Sequence, residues 1–409
     1  MAREFKDSGI EWIGQIPKEW EVRRIKSIFT ERTELSENGD ETLLSVSEYY
    51  GVANRKDKIE DGEFVSRAES LVGYKKCYEG DLVSNIMLAW KGSLGVTDID
   101  GIVSPAYCVY KPSKEIFPHY YHYLFRTSLF TSIFRLFSKG IIDSRLRLYS
   151  PYFYAISTLF PPLPEQQKIA CYLDKVCGEV DEMVTLQETM IEELKAYKQS
   201  VITEAVTKGL NPNAPMRNSG IDWIGNIPKH WQMKRLKFMC EIQTGNQDTQ
   251  DAEQDGEYPF YVRSPKVEHS NKYSFEGEGI LMAGDGAGAG RVFHHAFGKY
   301  AVHQRVYRLS SFENIDTTFL FHYISNLFCK VMDMGSAQST VPSVRLPMLQ
   351  NFVVCIPSIE EQQHIATYLD TQCSEIDALI TLKQAKIEEL KEYKKSVIYE
   401  YVTGKKEVV

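Results

Sequence analysis

Ser8-Gly-Ile-Glu-Trp-Ile-Gly-Gln-Ile-Pro-Lys-Glu-Trp20 returns as Ser219-Gly-Ile-Asp-Trp-Ile-Gly-Asn-Ile-Pro-Lys-His-Trp231, 211 positions later. Val22-Arg-Arg-Ile-Lys26 matches Met233-Lys-Arg-Leu-Lys237 at the same interval. Further on, Pro164-Glu-Gln-Gln-Lys-Ile-Ala-Cys-Tyr-Leu-Asp174 matches Glu360-Glu-Gln-Gln-His-Ile-Ala-Thr-Tyr-Leu-Asp370, now 196 positions later. Ile191 to Ile202 repeats as Ile387 to Ile398 at that second interval. The intervals differ by 15, so the interior is shorter in the second copy. Self-similarity over this length is a tandem duplication with like flanks. The interiors, roughly 30–155 and 240–350, share little sequence. One scaffold used twice, with two different surfaces mounted on it, has this pattern.

The closing segments read as long helices. Ile169, Val176, Met183, Met190 and Tyr197 fall seven apart, and Leu173, Val180, Leu194 and Val201 lie on a second such series. Together they form an a/d seam, interrupted at Gln187, Glu204 and Lys208. The second copy repeats it with Ile365, Leu379 and Tyr393, alternating with Leu369, Ile376, Leu390 and Val397. Pro164 and Glu165 suit a helix start, and Gly209 and Gly404 suit its end. Each helix is predicted at about 40 residues, or ~60 Å. A single apolar stripe that long asks for a partner, and the other copy supplies one as an antiparallel coiled coil.

The interiors read as mixed α/β. Leu43-Leu-Ser-Val, Gly80-Asp-Leu-Val-Ser, Gly95-Val-Thr and Ala106 to Tyr110 are strand-like runs bounded by turn residues, and Tyr120 to Arg126 suggests a helix. The second interior offers strands at Gly279 to Ala283, Gly290 to Phe293 and Ala301 to Arg308, then a helix from about Thr318 to Met332. The expected fold class is α/β (α+β). It comprises two recognition domains (1–160 and 210–356) and two long coiled-coil helices (161–209 and 357–405), related by a pseudo-two-fold duplication.

The 409 residues exceed one ordinary core, and 43% hydrophobic with 25% charged content suits folded domains. The first residues contain no apolar secretory run, and no uncharged stretch approaches the length of a membrane span. Eight scattered cysteines without a C-x-x-C pair argue for reduced thiols in a cytoplasm and against a zinc site. The net charge of −8 is unfavourable for a lone nucleic-acid binder. It is unevenly spread, however. Glu165 to Lys208 holds nine acidic and five basic residues, which suits a protein partner. Ser138 to Arg147 has three basic residues against one acid, and Asp285 to Arg308 has four against one, with three histidines. Basic charge therefore gathers in the interiors, where contact with DNA would need it.

These markers resemble the specificity subunits of type I restriction–modification systems. The resemblance rests on Phe160-Pro-Pro-Leu-Pro-Glu-Gln-Gln167, its copy Ile356-Pro-Ser-Ile-Glu-Glu-Gln-Gln363, and the duplicated Trp-Ile-Gly-x-Ile-Pro-Lys-x-Trp segment, and it spans nearly the whole chain. It implies two target recognition domains, each reading half of a bipartite, asymmetric double-stranded DNA site. It further implies that the helices set the separation of the halves and dock two methyltransferase subunits, with restriction and translocase subunits beyond them. The chain itself would be no enzyme and bind no cofactor; S-adenosylmethionine and ATP would sit on partner subunits.

Candidate DNA-contacting residues in the first domain are Lys91, Ser93, Lys139, Ser144, Arg145 and Arg147. Those in the second are Arg291, Gln304, Arg305, Gln338, Ser339, Thr340 and Arg345. Arginine can fork onto guanine, glutamine onto adenine, and serine can serve either edge. The resemblance favours the loops 138–147 and 335–346. Each side chain also reads as an ordinary solvated residue, so the groups carry the assignment.

Other readings compete. Gly284-Asp-Gly-Ala-Gly-Ala-Gly290 could cradle a nucleotide or a methyl donor, which would make the chain a methyltransferase. That cradle needs a following helix, whereas Arg291-Val-Phe-His-His reads as a strand, and no Asn/Asp-Pro-Pro-aromatic motif is present. A glycine-rich hairpin near DNA is the expectation. His294 and His295 lack ligand-spaced companions for a metal. Trp12, Trp20, Trp223 and Trp231 recur by duplication, which suggests packing against the helices. A scaffold that assembles partners without reading sequence is the third alternative.

Overall fold

The computed structural model describes residues 3–58, 70–335 and 342–408. The chain divides into two compact units, residues 1–187 with 385–409, and 188–384. Among the described residues, no helix is long and apolar enough to cross a membrane.

In the first unit, a four-stranded antiparallel sheet runs in the order Phe29–Arg32, Tyr107–Pro112, Leu82–Asn85, Leu94–Val96. Three helices cover it: α1 (Pro118–Phe125), α2 (Ser128–Phe137) and α3 (Ser150–Ala155). Pro at the first turn opens α1, and the Thr127 hydroxyl accepts from Phe130 N–H to open α2. The core is aromatic: Phe29, Tyr121, Phe125, Phe130, Phe134 and Phe153 are all buried. Strand Ser157–Phe160 then pairs with Glu21–Arg24 and leads into α4 (Leu163–Lys208), a helix of 46 residues.

The second unit builds the same sheet from other residues: Glu241–Thr244, Val306–Ser310, Gly279–Ala283, Phe293–Ala296. α5 (Thr317–Gly335) and α6 (Leu346–Gln350) follow, and strand Val353–Ile356 pairs with Gln232–Arg235 before α7 (Ile359–Val402), 44 residues long. The interiors that share little sequence therefore share a topology. The predicted strand Ala301 to Arg308 is in fact two, Lys299–Val302 and Val306–Ser310, broken by a turn at His303–Arg305. A further four-stranded sheet in this unit runs Glu268–Ser270, Tyr258–Tyr261, Lys299–Val302, Phe275–Glu276, and in it Tyr258–Tyr261 pairs parallel with Lys299–Val302. The first unit instead has the two-stranded pairs Leu44–Ser47 with Gly51–Asn54 and Lys75–Cys77 with Gly101–Val103.

The duplicated segments do the same work in each unit. Trp20 is buried, and its indole N–H donates to Glu165 at 2.8 Å; Trp231 is buried and donates to Glu361 at 3.2 Å. Gln166 is fully buried, accepts from Phe117 N–H at 2.8 Å and donates to the Pro161 carbonyl at 2.8 Å. Gln362 accepts from Asp316 N–H at 2.8 Å and donates to the Pro357 carbonyl at 3.1 Å. The first glutamine of each Glu-Gln-Gln thus clamps the helix start to the sheet-bearing domain. Trp12 packs edge-on against Phe130 and Trp223 stacks on Phe352, as packing residues.

Each unit contains an antiparallel pairing of α4 with α7. In the first, Lys394 bonds Asp181 at 2.7 Å and Tyr172 meets Tyr401 at 4.5 Å between ring centroids. In the second, Lys198 bonds Asp377 at 2.7 Å. Of the two predicted seven-residue series, the one through Leu173, Val180, Leu194 and its copy through Leu369, Ile376, Leu390 faces the seam. The other is one position off along the coil. Cys177, Val184 and Ile191, with Cys373, Ile380 and Ile387, turn inward instead. Met183, Tyr197, Leu379 and Tyr393 are 51%, 56%, 47% and 54% exposed. The inward series continues through Lys198 and Lys394, which keep their ammonium groups on the facing aspartates; those polar members hide the period.

Candidate nucleic-acid interface

In both units the loop leaving the third sheet strand meets the loop preceding the last short helix, and a backbone hydrogen bond common to the two units joins them. In the first unit Leu148 N–H donates to the Ile86 carbonyl at 2.9 Å; in the second Val344 N–H donates to the Gly284 carbonyl at 2.8 Å. The tie recurs 196 positions later on its donor side, although the loops themselves are dissimilar.

The first unit's loops line an open recess of about 740 Å³ formed by Met87, Leu88, Trp90, Lys91, Asp143, Ser144 and Arg147. The Trp90 ring carries Lys91 Nζ at 5.2 Å and the Arg135 guanidinium at 4.9 Å, and Arg135 also bonds Asp143 at 2.8 Å. Lys139 and Arg147 form an isolated β-bridge that closes the 138–147 loop; Lys139 and Arg145 are exposed and Ser144 faces solvent. Arg147 is half-buried and donates to the carbonyls of Ser144 and Leu146 at 3.2 and 2.8 Å. Beside these cations Ile141 stands 99% exposed at the loop tip.

Ser93 does not belong to this set. It is 1% exposed and its hydroxyl donates to the Val46 carbonyl at 3.1 Å, inside the domain. The preceding turn needs that anchor, since Gly92 reverses the chain at a φ of 90°. Arg126 is likewise committed inward. Its guanidinium donates to the carbonyls of Leu94, Glu48 and Tyr49 at 3.0, 3.0 and 2.8 Å, and desolvation pulls its pKa down.

In the second unit, Gly284 to Gly290 lies in the hairpin between two antiparallel strands rather than between a strand and a helix. It lacks the helix N-terminus a phosphate cradle uses. Arg291 is exposed and bonds Asp333 at 2.6 Å. Gln304 and Arg305 project from the turn that splits the predicted strand. Gln304 donates to Asp248 at 2.6 Å, and Arg305 donates to Asp285 at 2.7 Å. Arg263, absent from the sequence-based set, donates to the same carboxylate at 2.9 Å. Partial burial opposes the Asp285 charge, but the two guanidinium hydrogen bonds prevail and hold its carboxyl below the ordinary range. Arg345 is exposed just before α6. Gln338, Ser339 and Thr340 lie outside the described residues.

The histidines are occupied locally: His294 contacts the Ser264 carbonyl at 3.1 Å and His295 meets Glu278 at 2.9 Å. Among the described residues, no three His, Cys, Asp or Glu side chains converge as a metal site would require.

Comparison with known proteins gives a consistent result. The type I restriction modification DNA specificity domain matches residues 17–196 and again 228–392. A putative type I restriction enzyme MjaX specificity subunit from Methanocaldococcus jannaschii is 24% identical, covering 96% of this chain and 95% of that protein. The EcoDI specificity subunit of Escherichia coli is 28% identical over a shorter match, 42% of this chain and 38% of that protein. Among solved structures, a chain from work on complex assembly and conformational transition of the type I R-M system shares the fold, with a TM-score of 0.73 at 18% identity and coverage of 95% and 98%. The HsdS subunit from Thermoanaerobacter tengcongensis does so with a TM-score of 0.54, also at 18% identity and the same coverage. With both copies matched over most of their length, the chain belongs to the DNA specificity subunits of type I restriction–modification systems.

Proposed function

We propose that each unit reads one half of a bipartite, asymmetric DNA site, and that the chain performs no chemistry itself. The observation that carries this reading is the repeated backbone tie between two loops whose side chains differ between units. A shared tie beneath unlike surfaces suits two readers of unlike sequences better than it suits one repeated activity. Lys91, Lys139, Ser144, Arg145 and Arg147 serve the first half-site; Arg291, Gln304, Arg305 and Arg345, with the neighbouring Gln338, Ser339 and Thr340, serve the second. Arginine and glutamine supply base-edge hydrogen bonds, lysine neutralises phosphate, and exposed Ile141 offers an apolar contact of the kind a thymine methyl accepts.

The helices supply the rest. Met183, Leu186 and Tyr393 are exposed in the first unit, and their duplicates Leu379, Leu382 and Tyr197 are exposed in the second. Two equivalent apolar stripes on acidic helices suit two copies of one protein partner, the methyltransferase subunit. S-adenosylmethionine and, where the system restricts, ATP belong to partner subunits in the cytoplasm, and the partner extrudes the target adenine from the duplex.

Methylation mapping by long-read sequencing in a host expressing this chain with its methyltransferase subunit tests the reading. A new motif with two short specified halves and a fixed gap, absent without this chain, is expected. Methylation that is independent of this chain, or that follows no bipartite motif, would leave a scaffold rather than a reader.

A further inference from the structure

The glycine-rich hairpin and the turn His303–Arg305 converge on one carboxylate. Asp285 accepts from Arg263 Nη1 on one oxygen and from Arg305 Nη1 on the other, at 2.9 and 2.7 Å. Its own side chain is 18% exposed, whereas those of Arg263 and Arg305 are 43% and 62% exposed. The carboxylate is thus a floor beneath two outward-facing guanidinium groups.

The backbone holds that floor from both sides. Gly284 N–H donates to the Arg305 carbonyl at 2.9 Å, Gly286 N–H donates to the Pro342 carbonyl at 3.1 Å, and Asp285 itself bridges to Ser343. A Cβ on Gly284 would stand 2.8 Å from the Arg305 carbonyl oxygen, so the close approach of the two turns requires glycine there. Arg263 reaches the site because its strand, Tyr258–Tyr261, pairs parallel with Lys299–Val302 and both chains leave the sheet side by side.

This arrangement distinguishes two uses of arginine. A phosphate clamp works through its full charge, and an adjacent carboxylate both neutralises that charge and repels the phosphate. A guanine reader needs a fixed guanidinium plane that can donate to O6 and N7 together. Each guanidinium here commits one Nη1 to Asp285, and among the described residues no other hydrogen bond engages either one.

We infer that Asp285 is a positioning residue that orients Arg263 and Arg305 as a pair of guanine readers, so that the half-site of the second unit contains G·C pairs. The inference rests on the proposed DNA reading and names the base chemistry of one half.

The test uses the full chain co-expressed with its methyltransferase subunit, with methylation mapped genome-wide for the parent and for Arg263→Lys, Arg305→Lys and Asp285→Asn. The lysine variants keep the charge and the ion pair but lose the fork. Each is expected to relax a G·C position, with discrimination there falling about 5- to 150-fold. Asp285→Asn, nearly isosteric, should relax the positions of both arginines at once. All relaxed positions should fall in one half of the motif, with the other half unchanged. A parent motif without G·C in either half, an unaltered motif in the variants, or a uniform fall in methylation without relaxation would each overturn the inference while leaving the DNA reading intact. A parent that yields no bipartite motif would overturn both.

Discussion

The indole N–H of Trp20 donates to the carboxylate of Glu165 across 145 residues of chain, at 2.8 Å, and Arg3 bonds the same carboxylate. Glu165→Ala would leave a buried indole N–H and a mostly buried guanidinium without their acceptor, a loss of about 1–3 kcal/mol. Glu361→Ala should destabilise the second unit less, because its further partner His230 is exposed. Chemical denaturation followed by tryptophan fluorescence would rank the two.

Acid should weaken the first unit through His122. Burial, with the neighbouring Arg126 and His119 charges, pulls its pKa from 6.5 down to about 3, and its Nδ1 accepts from Val96 N–H. Above pH 6.5 the ring is neutral folded and unfolded, so nothing is lost there. Between about 6.5 and 3 only the unfolded chain takes the proton, and stability falls by at most about 1.4 kcal/mol per pH unit. His122→Gln keeps an acceptor but cannot be protonated. Its stability should fall less steeply with acid, as read from unfolding midpoints across that range.

Lys91→Ala and Lys139→Ala should weaken DNA binding by the assembled complex on every sequence. If each removes one phosphate contact, the slope of log K against log salt shrinks by about 1 per substitution. Titrations at several salt concentrations would measure it, and an unchanged slope would mean that these cations do not touch phosphate.

Met183→Glu with Leu186→Glu should abolish docking of one methyltransferase subunit, and Leu379→Glu with Leu382→Glu that of the other. All four residues are exposed, so the fold should survive, with surface-type effects within about 0.5 kcal/mol. Complex masses in solution would read one partner lost per pair. Loss of neither would remove the stripes from the assembly.

If the helices set the gap between half-sites, four residues inserted in each of α4 and α7 lengthen the coil by about 6 Å. The unread spacer of the methylated motif should then grow by one or two base pairs, at roughly 3.4 Å each. Altered half-sites with an unchanged spacer would contradict the role.

The duplicated flanks, the long helices and the strands at Leu44–Ser47, Leu82–Asn85, Leu94–Val96, Tyr107–Pro112 and Gly279–Ala283 were legible in the sequence because each depends on local pattern, whereas the strand read at Gly290 to Phe293 lies at Phe293–Ala296. What escaped depends on partners distant in the chain. Met183 and Cys177 both lie on plausible seven-residue series, and only the facing helix decides which turns inward. Ser93 looked like a reader until the Val46 carbonyl claimed its hydroxyl. Arg263 gave no signal because a parallel strand pairing, invisible to local periodicity, brings it to Asp285. A basic residue such as Arg126 can be wholly structural, and composition cannot separate it from Arg145.

The tie from Leu148 to Ile86, and its counterpart from Val344 to Gly284, joins main-chain atoms alone. A main-chain bond places no demand on which side chains flank it. Residues on either loop can therefore drift, generation by generation, while the loops stay moored at the same points. New target sequences become accessible to mutation without a new fold, and the lineage can diversify its readers while its frame stays still.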